Sequence, residues 1–324
     1  MNGRPMNSDV TMRSGNTAAL GRIDQYLIVS ELSSGALGSV YLAKDLASGR
    51  EVVIKGLPPE VKYGRDELEI LKQSFIRVDR LHHPNIASLL CLRRAEEVIY
   101  CNPVVEKSLG VMVGDVLMVM EHVPGVELSK WSRQFPEGKV PVDKAIEIAR
   151  QVASALDYAH AQKIIHRDLN PSHVMIETGA DGGPIARVLG FGLSALIREL
   201  VGRSSERVRS VSGARPYLSP EQWRGAKPGP ATDQYALGVI AYEMIAGALP
   251  IHNAVDLELH DFMLCKVPPI NAVAPYINDA LARAMARVPN ERFGNCMEFV
   301  SALNKKSGLD RLARWWRLLK GDKQ

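Results

Sequence analysis

Two residues of this chain are best suited to chemistry. One is the lysine that ends the run Val52-Val53-Ile54-Lys55. The other is the aspartate inside His166-Arg167-Asp168-Leu169-Asn170-Pro171-Ser172-His173. A lysine at the end of a strand can neutralise phosphate oxygens, and an aspartate can take the proton of an acceptor hydroxyl. Ahead of both lies Ser33-Ser34-Gly35-Ala36-Leu37-Gly38-Ser39-Val40. Glycines there let backbone N–H groups approach phosphates closely. A plain hairpin turn explains a lone glycine loop equally well. A dinucleotide-binding turn would need a helix straight after it. Val40-Tyr41-Leu42-Ala43 reads as a strand, which removes that option.

These residues must be positioned by a folded scaffold. The chain has 324 residues, 46% apolar and 23% charged, which is ordinary globular composition with a real core. A net charge of +4, mixed in sign along the chain, gives no footing for nucleic acid. Cys91, Cys101, Cys265 and Cys296 lack any short CxxC spacing, which argues against a zinc site or a disulfide framework. That usage suits a reducing cytoplasm. Residues 1–20 are rich in Asn, Ser, Gly and Thr and read as a disordered tail without a signal-peptide core. Strand patterns follow at Tyr26–Val29, Val40–Ala43 and Val52–Lys55, with two more around Glu97–Val105 and Val116–Met120. One helix is expected over Asp66–Arg80, with Leu68, Leu71, Phe75 and Val78 on its apolar face. After Pro124-Gly125 helices dominate. They include Val142–Ala161, a buried core helix within Tyr235–Ile251, Asp279–Arg287 and Cys296–Lys305, with short strands at Val174–Ile176 and Ala186–Leu189. The expected class is α+β, with a small antiparallel β lobe at 21–123 carrying one main helix and a larger helical lobe at 124–308.

Further motifs occur in a fixed order. Leu81-His82-His83-Pro84-Asn85-Ile86 follows the first helix, and Leu189-Gly190-Phe191-Gly192 follows the Asp168 loop. Then come Gly213-Ala214-Arg215-Pro216-Tyr217-Leu218-Ser219-Pro220-Glu221, Asp233-Gln234-Tyr235-Ala236-Leu237-Gly238 and Asn290-Glu291-Arg292-Phe293. In this order the chain resembles the eukaryotic-like protein kinases, most closely the bacterial Hanks-type serine/threonine kinases, over about Gly21 to Lys305. The resemblance implies a two-lobed kinase fold with an ATP cleft between the lobes. It places Gly35, Gly38, Val40, Val53, Lys55, Met120, Glu121, Val123 and Met175 around the nucleotide. Met120 corresponds to the gatekeeper, and Glu121 to Val123 to the hinge that hydrogen-bonds adenine. Glu221 and Arg292 correspond to a buried ion pair, and Asp233 to the aspartate that anchors the catalytic loop.

The same resemblance exposes departures. Asp168 keeps the catalytic-base position and Lys55 the phosphate-lysine position. The metal-binding aspartate corresponds to Gly190, and the second metal ligand, normally Asn, to His173. Imidazole is a poor ligand for a hard cation that prefers oxygen. The catalytic-loop lysine corresponds to Asn170, and the bracing threonine to Ala214. The helix glutamate that pairs with the lysine falls seven residues before Leu81, at Ser74. Glu67 and Glu69 would reach Lys55 only by a register shift. Val53 stands where alanine is usual and tightens the adenine pocket, and Ser33 replaces the first glycine. No protein ligand for a metal is therefore expected, and magnesium binding is in doubt. Nucleotide held without metal and an empty cleft both stay open.

The expectation is a pseudokinase: a kinase-fold signalling, scaffold or regulatory module in the cytoplasm, acting on protein partners, an active kinase among them. Its alternatives are an active ATP-dependent serine/threonine kinase with a noncanonical metal site, and a membrane-associated adaptor. The adaptor reading rests on the basic amphipathic segment 309–324, whose Arg311, Arg314 and Arg317 alternate with Trp and Leu. Gly192–Gly213, holding Arg198, Arg203, Arg207 and Arg209 among serines, reads as a mobile basic loop, with a phosphorylation site served by Arg167 as the other reading.

Overall fold

The computed structural model describes residues 19–100, 109–204, 215–251, 262, 264–271 and 273–304. The expectations for residues 1–18, Ala214 and 309–324 lie outside them. The described chain forms two lobes. The first is a seven-stranded antiparallel sheet in the order β5-β7-β4-β3-β2-β1-β6. Its strands are β1 (Gly21–Ile23), β2 (Tyr26–Ser33), β3 (Val40–Asp45), β4 (Glu51–Gly56), β5 (Leu89–Arg94), β6 (Val98–Tyr100) and β7 (Val116–Glu121). Val116 and Met118 of β7 join the core that continues into the other lobe, while Leu117 and Val119 join a separate core with Ile28, Tyr41 and Ile54. Period-two alternation with both faces covered explains why β7 reads as an unbroken apolar run.

Helix α1 (Arg65–Val78) crosses this sheet and buries Leu68, Leu71, Phe75 and Val78, the stripe expected at three- and four-residue spacing. The second lobe has a three-stranded sheet in the order β10-β9-β8, made of β8 (Val126–Glu127), β9 (Val174–Thr178) and β10 (Pro184–Val188). Around it lie α2 (Val142–Ala161), α3 (Leu193–Ser204), α4 (Pro230–Ala246), α5 (Pro275–Ala284) and α6 (Cys296–Leu303). Helix α4 is buried on nearly every side, as an apolar helix at the centre of a lobe must be. It stops at Gly247, whose φ of +73° is the left-handed cap that glycine adopts most readily.

The structure departs from the sequence expectation chiefly at the late helix, at β1 and β5, and after Gly192. The late helix starts at Pro275, because proline fixes the φ of a first helical turn, and it ends at Ala284. Strands β1 and β5 carried no periodic signal: one has three residues, and the other is a half-covered edge. The expected mobile loop after Gly192 is corrected over its first half, which is helix α3. Leu193, Leu196, Ile197, Leu200 and Val201 are buried there, and the helix packs against α1 and the turn Pro59–Lys62. Among the described residues no helix is long and apolar enough to cross a membrane.

Candidate active site

The glycine turn is built tightly against β4. Gly38 has a φ of +97°, its N–H donates to the Gly35 carbonyl at 3.0 Å, and a Cβ there would collide with the Gly56 carbonyl oxygen. Ser39 accepts from the Gly56 N–H at 2.9 Å, which fixes the turn to the strand that ends in Lys55. Val40 pairs directly with Lys55 across the ladder. Val53 and Met120 pair across β4 and β7, and they, Val40 and Met175 are each only partly covered. Apolar side chains left half-open in mid-molecule fit a flat purine. At the hinge the Glu121 N–H donates to Ser88 and the Val123 carbonyl accepts from Gly125, while the Val123 N–H makes no hydrogen bond among the described residues. That donor suits a ligand nitrogen. The Glu121 carboxylate turns away to Arg187, at 2.6 and 2.7 Å.

Lys55 sits among protein atoms and has no carboxylate within ion-pair distance among the described residues. Ser74 occupies the expected partner position and accepts from Arg77 at 3.3 Å instead. Glu69 pairs with Lys72, and neither Glu67 nor Glu69 forms an ion pair with Lys55. Burial holds the Lys55 ammonium down to about 8; the Asp168 charge opposes that shift and the Arg198 charge adds to it. The residue keeps some solvent contact, so desolvation is partial, and the direction rests on its deep position.

The catalytic loop is anchored as expected. Asp233 accepts from the N–H groups of His166 and Arg167, both at 2.8 Å, and its Oδ2 meets His160 Nε2 at 2.7 Å. These bonds hold Arg167 at a φ of +67°, uncommon for a residue with a side chain. His166 is fully buried, bonds the Leu189 carbonyl at 2.8 Å and meets the Phe191 ring edge-on. Burial lowers its pKa. Below the loop, Glu221 and Arg292 form a buried two-pronged pair at 2.8 and 2.8 Å.

Asp168 itself is engaged. Both of its carboxylate oxygens accept from Arg198 of α3, at 2.6 and 2.8 Å. Arg198 Nε is covered and has no partner among the described residues. His173 turns Nδ1 toward the Asp168 backbone carbonyl at 2.7 Å and toward Asn170 at 3.0 Å. Asn170 serves as a cap, its side-chain oxygen accepting from the Ser172 N–H. Gly190 has a φ of +77°, and a Cβ there would lie 2.6 Å from Ser194 Oγ.

Magnesium does not fit this set. It requires near-octahedral oxygen ligands. The carboxylate present is held by an arginine, the imidazole is engaged, and Gly190 offers no side chain. Elsewhere, Asp157, His160 and Cys296 lie together. Asp157 there caps the start of α6 through the N–H groups of Cys296 and Met297, and burial pushes the Cys296 thiol well up.

Sequence reasoning missed Arg198 and Arg187 as site residues. The signal for Arg198 was the apolar spacing of Leu193, Ile197 and Leu200, which places it on a helix facing the cleft.

The pattern for "Protein kinase domain" matches residues 26–313. The chain is 28% identical over 290 residues to "Serine/threonine-protein kinase pkn3" of Myxococcus xanthus, covering 86% of this chain and 49% of that protein. It is 29% identical over 303 residues to "Probable serine/threonine-protein kinase PknB" of Lactococcus lactis, covering 90% and 44%. The chain thus spans about half or less of the length of these relatives. Among solved structures, the kinase domain of Mycobacterium tuberculosis PknI aligns with a TM-score of 0.65 and 26% identity, covering 89% of this chain and 99% of that one. With the two-lobed fold, the anchored catalytic loop and the family pattern over most of its length, this chain belongs to the protein kinase domain family.

Proposed function

We propose that the chain is a pseudokinase, a kinase-fold regulatory module of the cytoplasm that works through protein partners, an active kinase among them. The observation that carries this reading is the state of the metal position. Gly190 and His173 stand where the ligands belong, and the remaining carboxylate, Asp168, is tied to Arg198. Phosphoryl transfer relies on cations that neutralise the transferring group, and losing them costs orders of magnitude in rate. The segment 309–324 supports membrane-surface attachment as an added feature, which liposome sedimentation with and without that segment tests.

The second reading is an active serine/threonine kinase with a different metal site. The relatives favour it, because they are named as serine/threonine kinases and this chain retains Lys55 and Asp168. Transfer of labelled phosphate to the protein itself and to a generic substrate, with magnesium and with manganese, decides between them. No transfer above the Asp168→Asn variant is expected. Metal-dependent transfer abolished by Asp168→Asn would establish the second reading.

A further inference from the structure

Lys55 and Arg198 come from different lobes and meet the same carboxylate environment. Arg198 forks onto Asp168 at 2.6 and 2.8 Å, while Lys55 lies close enough for both charges to act on it. Among the described residues this group holds two cations and one carboxylate, so it carries one positive charge in excess. Arg198 also keeps a covered Nε–H without an acceptor among the described residues. Nearby lie the glycine turn and the half-open apolar residues Val53, Met120 and Met175, whereas at the metal position no side-chain carboxylate among the described residues is free for a divalent metal.

We infer that the cleft binds the metal-free polyphosphate of an adenine nucleotide, with Arg198 and Lys55 supplying the positive charge that a metal ion would otherwise bring. Arginine suits this task because it stays charged, and its planar fork, which here holds the Asp168 carboxylate, can exchange that carboxylate for phosphate oxygens. Magnesium then acts against binding: it neutralises the anion that the two cations attract, and it finds no ligand in the protein. The inference rests on the reading above only for the loss of the metal ligands.

Titration calorimetry of the whole chain with ATP, and separately with inorganic tripolyphosphate, tests it in EDTA and in excess magnesium. ATP is expected to bind about tenfold more tightly in EDTA, and Arg198→Gln to lose about tenfold of that affinity, the range of a charge-assisted hydrogen bond. Arg198→Lys, which keeps the charge without the fork, is expected to fall between. Tripolyphosphate is expected to bind in EDTA and to compete with ATP. Tighter binding with magnesium in the unaltered protein overturns the inference and needs no variant to do so. Unchanged ATP affinity in a folded Arg198→Gln protein also overturns it, and so does the absence of binding in EDTA. Phosphate transfer bears on the pseudokinase reading alone, so the two can fail separately.

Discussion

Lys55 is a cation placed without the helix carboxylate that would normally steady it. Its pKa of about 8 lies below the ordinary 10.5, chiefly through burial, with Asp168 and Arg198 as its charged neighbours. Raising the pH from 7 to 9 therefore removes the folded-state proton while the unfolded chain still holds it. Nucleotide affinity is expected to fall across that window, as a fluorescent-nucleotide titration will record. The Lys55 contribution to stability runs the other way. Between 8 and 10.5 the unfolded state binds more protons, so the cost of burying the charge is relieved. In the Glu221–Arg292 pair the Glu221 pKa is lowered too, but by pairing and not by burial. Burial raises the Glu221 pKa, but the Arg292 hydrogen bonds and charge outweigh it and leave it lowered. Stability from this pair is present above the usual glutamate range and is lost as pH falls through the lowered value. Arg292→Ala strands the carboxylate and is expected to cost about 3–5 kcal/mol in denaturant unfolding. At the metal position, Gly190→Asp combined with His173→Asn is expected to make nucleotide binding tighten with magnesium. Aspartate tolerates a positive φ better than most residues, and Ser194 Oγ, the nearest obstacle, sits on a side chain that can rotate.

At the scale of elements, helix α3 changes the interpretation most. It carries Arg198 to Asp168 and packs its apolar face on α1, so it couples the state of the catalytic loop to the position of the helix that bears Ser74. Ile197 is fully buried, and Ile197→Ala is expected to destabilise the protein by about 2–5 kcal/mol, read as a lowered denaturant midpoint. This helix was poorly legible in the sequence. Arginines and serines fill Gly192–Gly213, and their polarity outweighed the apolar spacing inside it. Helices α1 and α2 were legible because each keeps its stripe over three or more turns. Strand β1 was not, because three residues cannot show a period, although it pairs with β2 straight after it as well as with β6. The replaced positions Ser74, Asn170, His173 and Gly190 were visible as residue types. What occupies Asp168 was not, since a contact between residues 30 apart depends on a helix that the sequence left unread.

For the whole molecule, the two lobes were legible from a change of periodicity near Pro124, but the way they are joined was not. Beyond the hinge, residues 85–87 are sewn into the large lobe. Ala87 donates to the Val188 carbonyl, Val188 donates back to Asn85, and Asn85 Nδ2 reaches Ala186 at 2.8 Å and Gln151 at 3.1 Å. Asn85→Ala removes one donor from each of those acceptors, of which Gln151 keeps the Ala186 N–H at 2.7 Å, and is expected to cost about 1–3 kcal/mol, with faster amide exchange at Val188 as its local signature. Arg187 adds a second stitch by reaching both Glu121 and the Ile86 carbonyl. This seam lies behind the cleft and turns the molecule into a door on a fixed jamb. Helix α3, packed against α1 and the turn Pro59–Lys62, is the latch on that door, because it joins the large lobe to the small one a second time.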